Sequence, residues 1–142
     1  FSMIPALRNA EDVRYGVMHQ NTFLQSPKLL DKYYADRRNP LVAFAGQMTG
    51  VEGYVESTAS GFAAAVELAH RLQDKPPVDF PRETALGALA LYISDESVVQ
   101  FQPMNINFGL IPQLGYRVKG KRNKNAEISK RALEALSQLE LD

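Results

Sequence analysis

Residues 41–57 have the sequence LVAFAGQMTGVEGYVES, and this stretch decides the fold class. The first five residues are apolar without a break, which predicts a short strand buried on both faces, as in a parallel sheet. The run stops at Gly46, and glycines recur at Gly50 and Gly53. From residue 54 to about residue 73 the apolar spacing is helical and rich in alanine, which predicts a long, largely buried helix. The stretch therefore predicts a strand, a glycine turn and a helix start.

Such a joint can bind a ligand through its backbone. Glycine lets the main chain approach a ligand at positive φ, and the free N–H groups of a first helical turn favour negative charge. The spacing is not the GxGxxG of the dinucleotide fingerprint, and Glu52 and Glu56 would repel a phosphate. Spacing alone leaves two interpretations: a site for a polar, partly anionic ring edge, or a well-capped joint without a ligand.

The composition of the 142 residues is that of one globular domain, 45% hydrophobic and 23% charged. Sixteen basic and sixteen acidic residues balance, so any attraction to nucleic acid must be local. The absence of cysteine excludes disulfides and a cysteine nucleophile from this chain, and the two histidines and the carboxylates lack metal-ligand spacing. We expect a cytoplasmic protein. The apolar start at Phe1, without methionine, favours a piece of a longer protein.

The other segments predict mostly helices. Residues 11–20 favour a strand, and residues 26–38 a short helix or a surface segment. Pro81 opens a predicted helix with Glu83 in its first turn, and residues 101–115 predict an ordered loop pinned to a core. A last helix is predicted over residues 125–139, capped by Asn125, with an apolar face of Ile128, Ala132, Leu136 and Leu139.

Four longer blocks carry a resemblance. They are RYGVMHQNTFLQSPKLL (residues 14–30), FAGQMTGVEGYVESTASG (44–61), ETALGALALYI (83–93) and FQPMNINFGLIP (101–112). Together they resemble the bacterial folate- and FAD-dependent tRNA (uracil-5-)-methyltransferases, relatives of glucose-inhibited division protein A. The resemblance covers nearly the whole chain.

The resemblance implies an enzyme that methylates C5 of the T-loop uridine in tRNA. Methylenetetrahydrofolate would supply the carbon, and NAD(P)H the reducing equivalents through FAD. The fold implied is α/β: residues 1–116 would form the C-terminal part of a split, Rossmann-like FAD-binding domain. Residues 117–142 would add a basic linker and an amphipathic helix.

The resemblance also assigns cofactor-binding residues. The family's second flavin-contacting segment matches Ala45, Gly46, Gln47, Thr49, Gly50, Val51, Glu52, Gly53 and Tyr54. A helix N-terminus aimed at a reduced flavin would stabilise its negative charge.

Two family features are absent. The family uses cysteine to activate uracil, and its FAD phosphates lie on a glycine-rich loop, but this chain contains neither. We therefore assign no catalytic residue and expect the isolated chain to be inactive and to bind FAD weakly at most.

Two further groups of residues have alternative interpretations. His19, with Arg14 and Asn21, would contact flavin or folate, or His19 is a structural histidine. A basic run would contact tRNA phosphates, or is a solvated linker; it consists of Arg117, Lys119, Lys121, Arg122 and Lys124.

Two other functions remain alternatives. One is an FAD-dependent protein of the same superfamily that modifies the wobble uridine of tRNA. The other is a non-enzymatic module that binds RNA or protein.

Overall fold

The computed structural model describes residues 3–9 and 22–139. These residues form four α-helices: α1 (Ser26–Leu29), α2 (Tyr54–Leu72), α3 (Ala85–Ser94) and α4 (Lys121–Ser137). Two 3-10 helices, Pro5–Leu7 and Gly46–Thr49, complete the regular structure of these ranges. The strand predicted over residues 11–20 falls outside them.

The apolar run over residues 41–45 does not form the predicted buried strand. Leu41 is 59% exposed and Val42 is 40% exposed. Across the described ranges, β-pairing is limited to isolated bridges, such as the antiparallel one between Ala35 and Ala43. A strand buried on both faces needs neighbouring strands and a covering layer on each side. The described residues provide only the single bridge at Ala43, so the run does not form a strand.

Helix α2 confirms the predicted long helix but only part of the predicted burial. It begins after Gly53, whose φ of 97° is incompatible with helical continuation. The side chains it buries include Ala63, Ala64 and Glu67, whereas Val55 and Phe62, which helical spacing places among the apolar residues of this largely buried helix, are 79% and 50% exposed. Small alanines allow close packing against neighbouring elements, and this places the larger apolar side chains on the outside.

The main core is formed by residues of α2 and α3 and of the segments before and after them, and residues 101–110 pack into it. The core consists of Leu30, Tyr34, Val51, Ala63, Ala64, Leu89, Ala90, Ile93 and Phe101. Phe101 is 2% exposed and Ile111 is 8% exposed, which confirms the predicted loop pinned to a core. Of the segment 26–38, only α1 is helical; Ser26 and Pro27 are buried, whereas Arg37 and Arg38 at its end are exposed.

Helix α3 begins four residues later than the Pro81 start that the sequence predicts. Its N-cap is Thr84, whose Oγ1 accepts a hydrogen bond from the Gly87 N–H at 3.0 Å and donates one to the Pro81 carbonyl at 2.6 Å. Threonine is a preferred N-cap residue. Glu83 therefore precedes the helix, and the described first turn contains no acidic residue.

Helix α4 begins earlier than predicted. It starts at Lys121 after Gly120, whose φ is 90°, so Asn125 lies inside the helix and is not its cap. Ile128 is 1% exposed and packs with Ala88 and Ile111 in a second, smaller core. The predicted apolar face is thus anchored mainly by one isoleucine, and Ala132, Leu136 and Leu139 are half-buried.

Tyr34 is the largest fully buried side chain among the described residues, at 1% exposure. Its φ of 64° is left-handed, which costs a bulky residue about 1–2 kcal/mol. Its hydroxyl has no hydrogen-bond partner within the described ranges. The residue borders a cavity of 280 Å³ that is also lined by Ala63, Gly87 and Ala90. The surrounding core therefore holds both a strained backbone and an unpaired polar atom.

Replacing Tyr34 with phenylalanine is expected to stabilise the fold. Removing a buried, unpaired hydroxyl should raise the free energy of unfolding by about 1 kcal/mol at pH 7. Burial also raises the pKa of Tyr34 above its usual 10.0. The unfolded chain then ionises first, so stability is lost as the pH rises above about 10, and Tyr34→Phe should lose less of it.

Urea unfolding at pH 7 and pH 11 tests this prediction. Tyr116→Phe is the control, because Tyr116 is 61% exposed. Equal stability of the parent chain and Tyr34→Phe at both pH values would contradict it.

Candidate functional site

The glycine turn, residues 45–54, connects the extended apolar run to α2. It contains the 3-10 helix Gly46–Thr49 and three glycines with left-handed backbone: φ is 71° at Gly46, 86° at Gly50 and 97° at Gly53. Residues other than glycine rarely adopt these φ angles. The glycine spacing seen in the sequence is therefore a requirement of the backbone.

Hydrogen bonds from two helices hold the glycine turn. The Gly46 N–H donates to Ser60 Oγ of α2 at 2.8 Å, and Ser26 Oγ of α1 donates to the Thr49 carbonyl at 2.8 Å. Within the turn, Thr49 Oγ1 donates to the Gly46 carbonyl at 2.7 Å. Ser26, Thr49 and Ser60 are all buried, so these bonds are shielded from water and fix the turn rigidly.

The loop over residues 101–110 closes one side of the turn. The Met104 N–H donates to the Gly50 carbonyl at 2.9 Å, and the Glu52 N–H donates to the Met104 carbonyl at 3.1 Å. A Cβ on Gly50 would overlap the ring of Phe101, so backbone and ring are in direct contact. Two blocks far apart in sequence thus form one structure.

The N-terminus of α2 is open to solvent. No side chain of the described residues caps it, and Tyr54 and Val55, the first two residues of the helix, are 97% and 79% exposed. The N–H groups of a first helical turn lack intrahelical partners and favour negative charge. The turn thus presents backbone donors at a surface that the described part of the chain does not cover.

Two polar side chains flank Gly53 at this helix start. A Cβ on Gly53 would overlap the Glu56 carboxylate and would lie 2.9 Å from Asn105 Nδ2. Glu56 is the acidic residue of the first turn, where it interacts favourably with the helix dipole. Its charge therefore opposes part of the positive potential that the helix would offer an anion. Sequence reasoning did not single out Asn105, because only the fold brings it next to Gly53.

The nine residues predicted to bind a cofactor are consecutive apart from Met48, and the structure divides them by exposure. Thr49 and Val51 are fully buried and Gly50 is buried, so these residues could meet a ligand only through their main chain. Gln47 and Tyr54 are exposed, and Ala45, Gly46, Glu52 and Gly53 are half-buried. The predicted ligand contacts Arg14, His19 and Asn21 lie outside the described residues.

The basic run spans a loop and the start of α4. Arg117, Lys119, Lys121 and Arg122 are exposed, whereas Lys124 is half-buried and donates a hydrogen bond to Gln113. Lys121 to Lys124 belong to the helix and not to the predicted linker, and the first turn carries no acidic residue. Positive charge at a helix N-terminus opposes the dipole. These basic side chains therefore slightly destabilise the start of α4.

A surface network joins Lys32, Tyr33 and Asp79. Tyr33 Oη donates to Asp79 Oδ1 at 2.8 Å, and Lys32 Nζ lies 2.5 Å from the same oxygen. The hydrogen bond from Lys32 lowers the pKa of Asp79, and the bond to Asp79 raises the pKa of Lys32. Both charges are substantially exposed, so the network adds little stability.

The described ranges contain neither a metal-binding cluster nor a membrane-spanning helix. They contain no group of three or more His, Cys, Asp or Glu side chains arranged to hold a metal ion. None of their helices is long and apolar enough to cross a membrane.

Comparison with known proteins identifies relatives that are about three times as long as this chain. The chain is 55% identical over 138 residues to a methylenetetrahydrofolate–tRNA-(uracil-5-)-methyltransferase TrmFO of Desulfitobacterium hafniense. Proteins of the same name from Listeria innocua and Acetivibrio thermocellus are 52% and 51% identical over 139 and 138 residues. These alignments cover 97–98% of this chain but only 32% of each relative. The chain thus spans about a third of the length of the relatives it matches.

A family profile gives the same assignment. The profile of Glucose inhibited division protein A matches residues 1–76, more than half of the 142-residue chain, and the match includes the whole glycine turn. The chain therefore belongs to the Glucose inhibited division protein A family.

Proposed function

We propose that this chain is the flavin-shaping part of an FAD- and folate-dependent enzyme that methylates C5 of the T-loop uridine in tRNA. The observation that carries the proposal is the glycine turn itself: a hydrogen-bonded backbone with three left-handed glycines and an exposed helix start, in a chain 55% identical to a tRNA (uracil-5-)-methyltransferase. In the complete protein, FAD would be the cofactor, and methylenetetrahydrofolate and NAD(P)H the co-substrates.

The residues of the turn fit a flavin ring edge. A Cβ on Gly46 would lie at an ordinary contact distance, 3.6 Å, from Ser57, whereas the space beside Gly50 is already occupied by the ring of Phe101. The first-turn N–H groups of α2 would face the flavin edge that becomes negative on reduction, which stabilises that charge by about 0.3–1 kcal/mol at an exposed site. FAD supplies the electron-transfer chemistry, and the chain's part is to bind and orient the ring.

Glu52 and Glu56 set a limit on this electrostatic effect. Both side chains are half-buried close to the helix start, and neither has an ion-pair partner within the described ranges. A carboxylate beside the ring would disfavour the reduced, anionic flavin and so lower its potential. We therefore propose that the helix start and Glu56 act in opposite directions on the flavin.

The proposed fold of the complete domain is Rossmann-like α/β. Residues 41–45 are extended here, and their strand neighbours would come from the part of the protein outside this chain. Residues 1–116 would belong to that FAD domain and residues 117–142 to a basic C-terminal segment. Arg14, His19 and Asn21 are proposed to contact flavin or folate.

Mass spectrometry of tRNA from a deletion strain tests the proposed reaction. We expect loss of 5-methyluridine in the T-loop, restored by the full-length gene but not by this chain alone. Loss of the wobble-uridine modification would instead favour the related modification enzyme. Unchanged tRNA would favour a binding module. The purified chain is expected to be colourless, since it lacks a phosphate-binding glycine loop.

The basic run is proposed to contact tRNA phosphates. In the full-length enzyme, the double variant Lys121→Glu, Arg122→Glu should bind tRNA more weakly by about 10-fold or more. The magnitude of the slope of log K against log [salt] should fall by roughly 2, because two phosphate contacts are lost. Acidic residues at the start of α4 suit its dipole, so the helix itself should be stabilised. A loss of affinity could then not be attributed to unfolding.

The control is Lys130→Glu, further along the same helix, at a side chain that is 70% exposed. It makes the same kind of charge reversal away from the basic run and should change tRNA affinity much less. Unchanged affinity of the double variant across salt concentrations would reject RNA contact by this run.

A further inference from the structure

The outer face of α2 is an apolar surface next to the glycine turn that none of residues 3–9 and 22–139 covers. It consists of Tyr54, Val55, Thr58, Ala59 and Phe62, together with Leu86 of α3, which line a shallow groove. Tyr54 is 97% exposed, Val55 79% and Phe62 50%. Contiguous apolar surfaces of this kind mark interaction sites, whereas scattered exposed apolar residues do not.

The chemistry of the outer face argues against RNA as its occupant. None of its six side chains is charged, so phosphates would find no cation there. Affinity for nucleic acid comes largely from Lys and Arg. In this chain the exposed cations of the basic run lie elsewhere, in residues 117–124.

The size of the outer face argues against a second copy of the chain. A stable dimer of standard size needs about 20–30 residues and 800 Å² on each partner. Six side chains fall well short of that. A segment of the same polypeptide does not incur the loss of translational and rotational freedom that association costs, so a small face is sufficient for it.

We propose that the remaining two thirds of the protein pack against the outer face of α2 and cover it. The relatives match this chain at 50% identity or more over 97–98% of its length, yet the chain covers only 32% of them. The occupant is thus the polypeptide that those relatives have and this chain does not span. The inference rests on the relatives' length and on the exposed side chains, not on the flavin chemistry.

Thiol labelling tests the proposal, because the chain contains no cysteine of its own. Thr58→Cys is placed at the centre of the face, in the isolated chain and in the full-length protein, and labelling is followed by peptide mass spectrometry. We expect Thr58→Cys to react roughly 10-fold or more slowly at full length. Ser129→Cys, at an exposed position of α4, is the control and should react equally in both.

Each other outcome overturns the proposal. Equal labelling of Thr58→Cys in the two proteins means that the face stays uncovered. Slow labelling of the isolated chain, with a dimer mass in sedimentation, means that a second copy covers it. Protection of the full-length protein only after tRNA or FAD is added means that this ligand covers the face. The readout needs neither flavin nor methyl transfer, so failure of the proposed reaction would leave the result intact.

Val55→Lys gives an independent test by stability. In the isolated chain Val55 is in water, so the thermal midpoint should hardly change. At full length the same lysine would be buried against apolar surface, and the midpoint should fall. Leu133→Lys, at a 68% exposed position of α4, should leave both midpoints unchanged. An unchanged full-length midpoint for Val55→Lys would overturn the proposal.

Discussion

Replacing Gly50 with alanine should lower the free energy of unfolding by about 3 kcal/mol, the sum of two costs of similar size. The first is backbone strain, because φ is 86° at this position. The second is steric, because the new Cβ would overlap the buried ring of Phe101. Phe101 is 2% exposed and packs against Phe23 and Tyr92 at centroid distances of 6.1 and 5.4 Å, so the ring has no free space to enter.

Gly61→Ala is the matched control. Gly61 lies inside α2, and a Cβ there would meet nothing within 4 Å. Alanine in a helix interior is favoured over glycine by about 1 kcal/mol, so this variant should be stabilised. Urea unfolding of both variants measures the difference. Similar effects of the two substitutions would contradict the contact between Gly50 and Phe101.

The second large effect is expected at Glu67. Its side chain is 5% exposed; Oε2 accepts a hydrogen bond from the Val78 N–H at 2.8 Å, and Oε1 accepts one from Arg71 Nη2 at 3.3 Å. Glu67→Ala would leave the buried Val78 N–H without its acceptor and would remove one partner of Arg71. We expect a loss of about 3 kcal/mol in the free energy of unfolding.

Glu67→Gln separates the hydrogen bond from the charge, and Glu134→Ala is the control for an exposed ion pair. Glu67→Gln keeps an acceptor for the Val78 N–H but removes the charge, so it should cost less than Glu67→Ala. Glu134→Ala removes a carboxylate from an exposed pair with Lys130 at 3.9 Å and should cost less than about 0.5 kcal/mol. Denaturant midpoints provide the measurement. A Glu67→Ala variant as stable as Glu134→Ala would show that the buried network contributes nothing.

Local patterns predicted the elements whose causes are local. Helix α2 was predicted over residues 54–73 and is observed at Tyr54–Leu72, because helical spacing and the glycine before it act within a few residues. The glycine turn was predicted for the same reason, since its three glycines lie within eight consecutive positions. The start of α3 was missed because the Thr84 cap outweighed the preference of Pro81 for a first helical turn.

Contacts distant in sequence were not predictable from these patterns. No spacing rule links Gly50 to Phe101, Gly53 to Asn105, or Glu67 to the Val78 N–H, which are separated by 51, 52 and 11 positions. The burial of α2 was predicted only in part. Helical spacing predicted burial of Ala63 and Ala64, which the core confirms, but it also marked Val55 and Phe62, which are exposed.

By itself, the sequence determined the glycine turn, the helix that follows it and the family, because backbone preferences and residue identity are properties of the chain alone. Only the tertiary structure decided that Thr49 and Val51 point inward, that Glu56 and Asn105 flank Gly53, and which side of α2 is covered. The physical reason is that burial depends on which surfaces meet across long stretches of chain, and a helix with apolar residues nearly all round can bury either side.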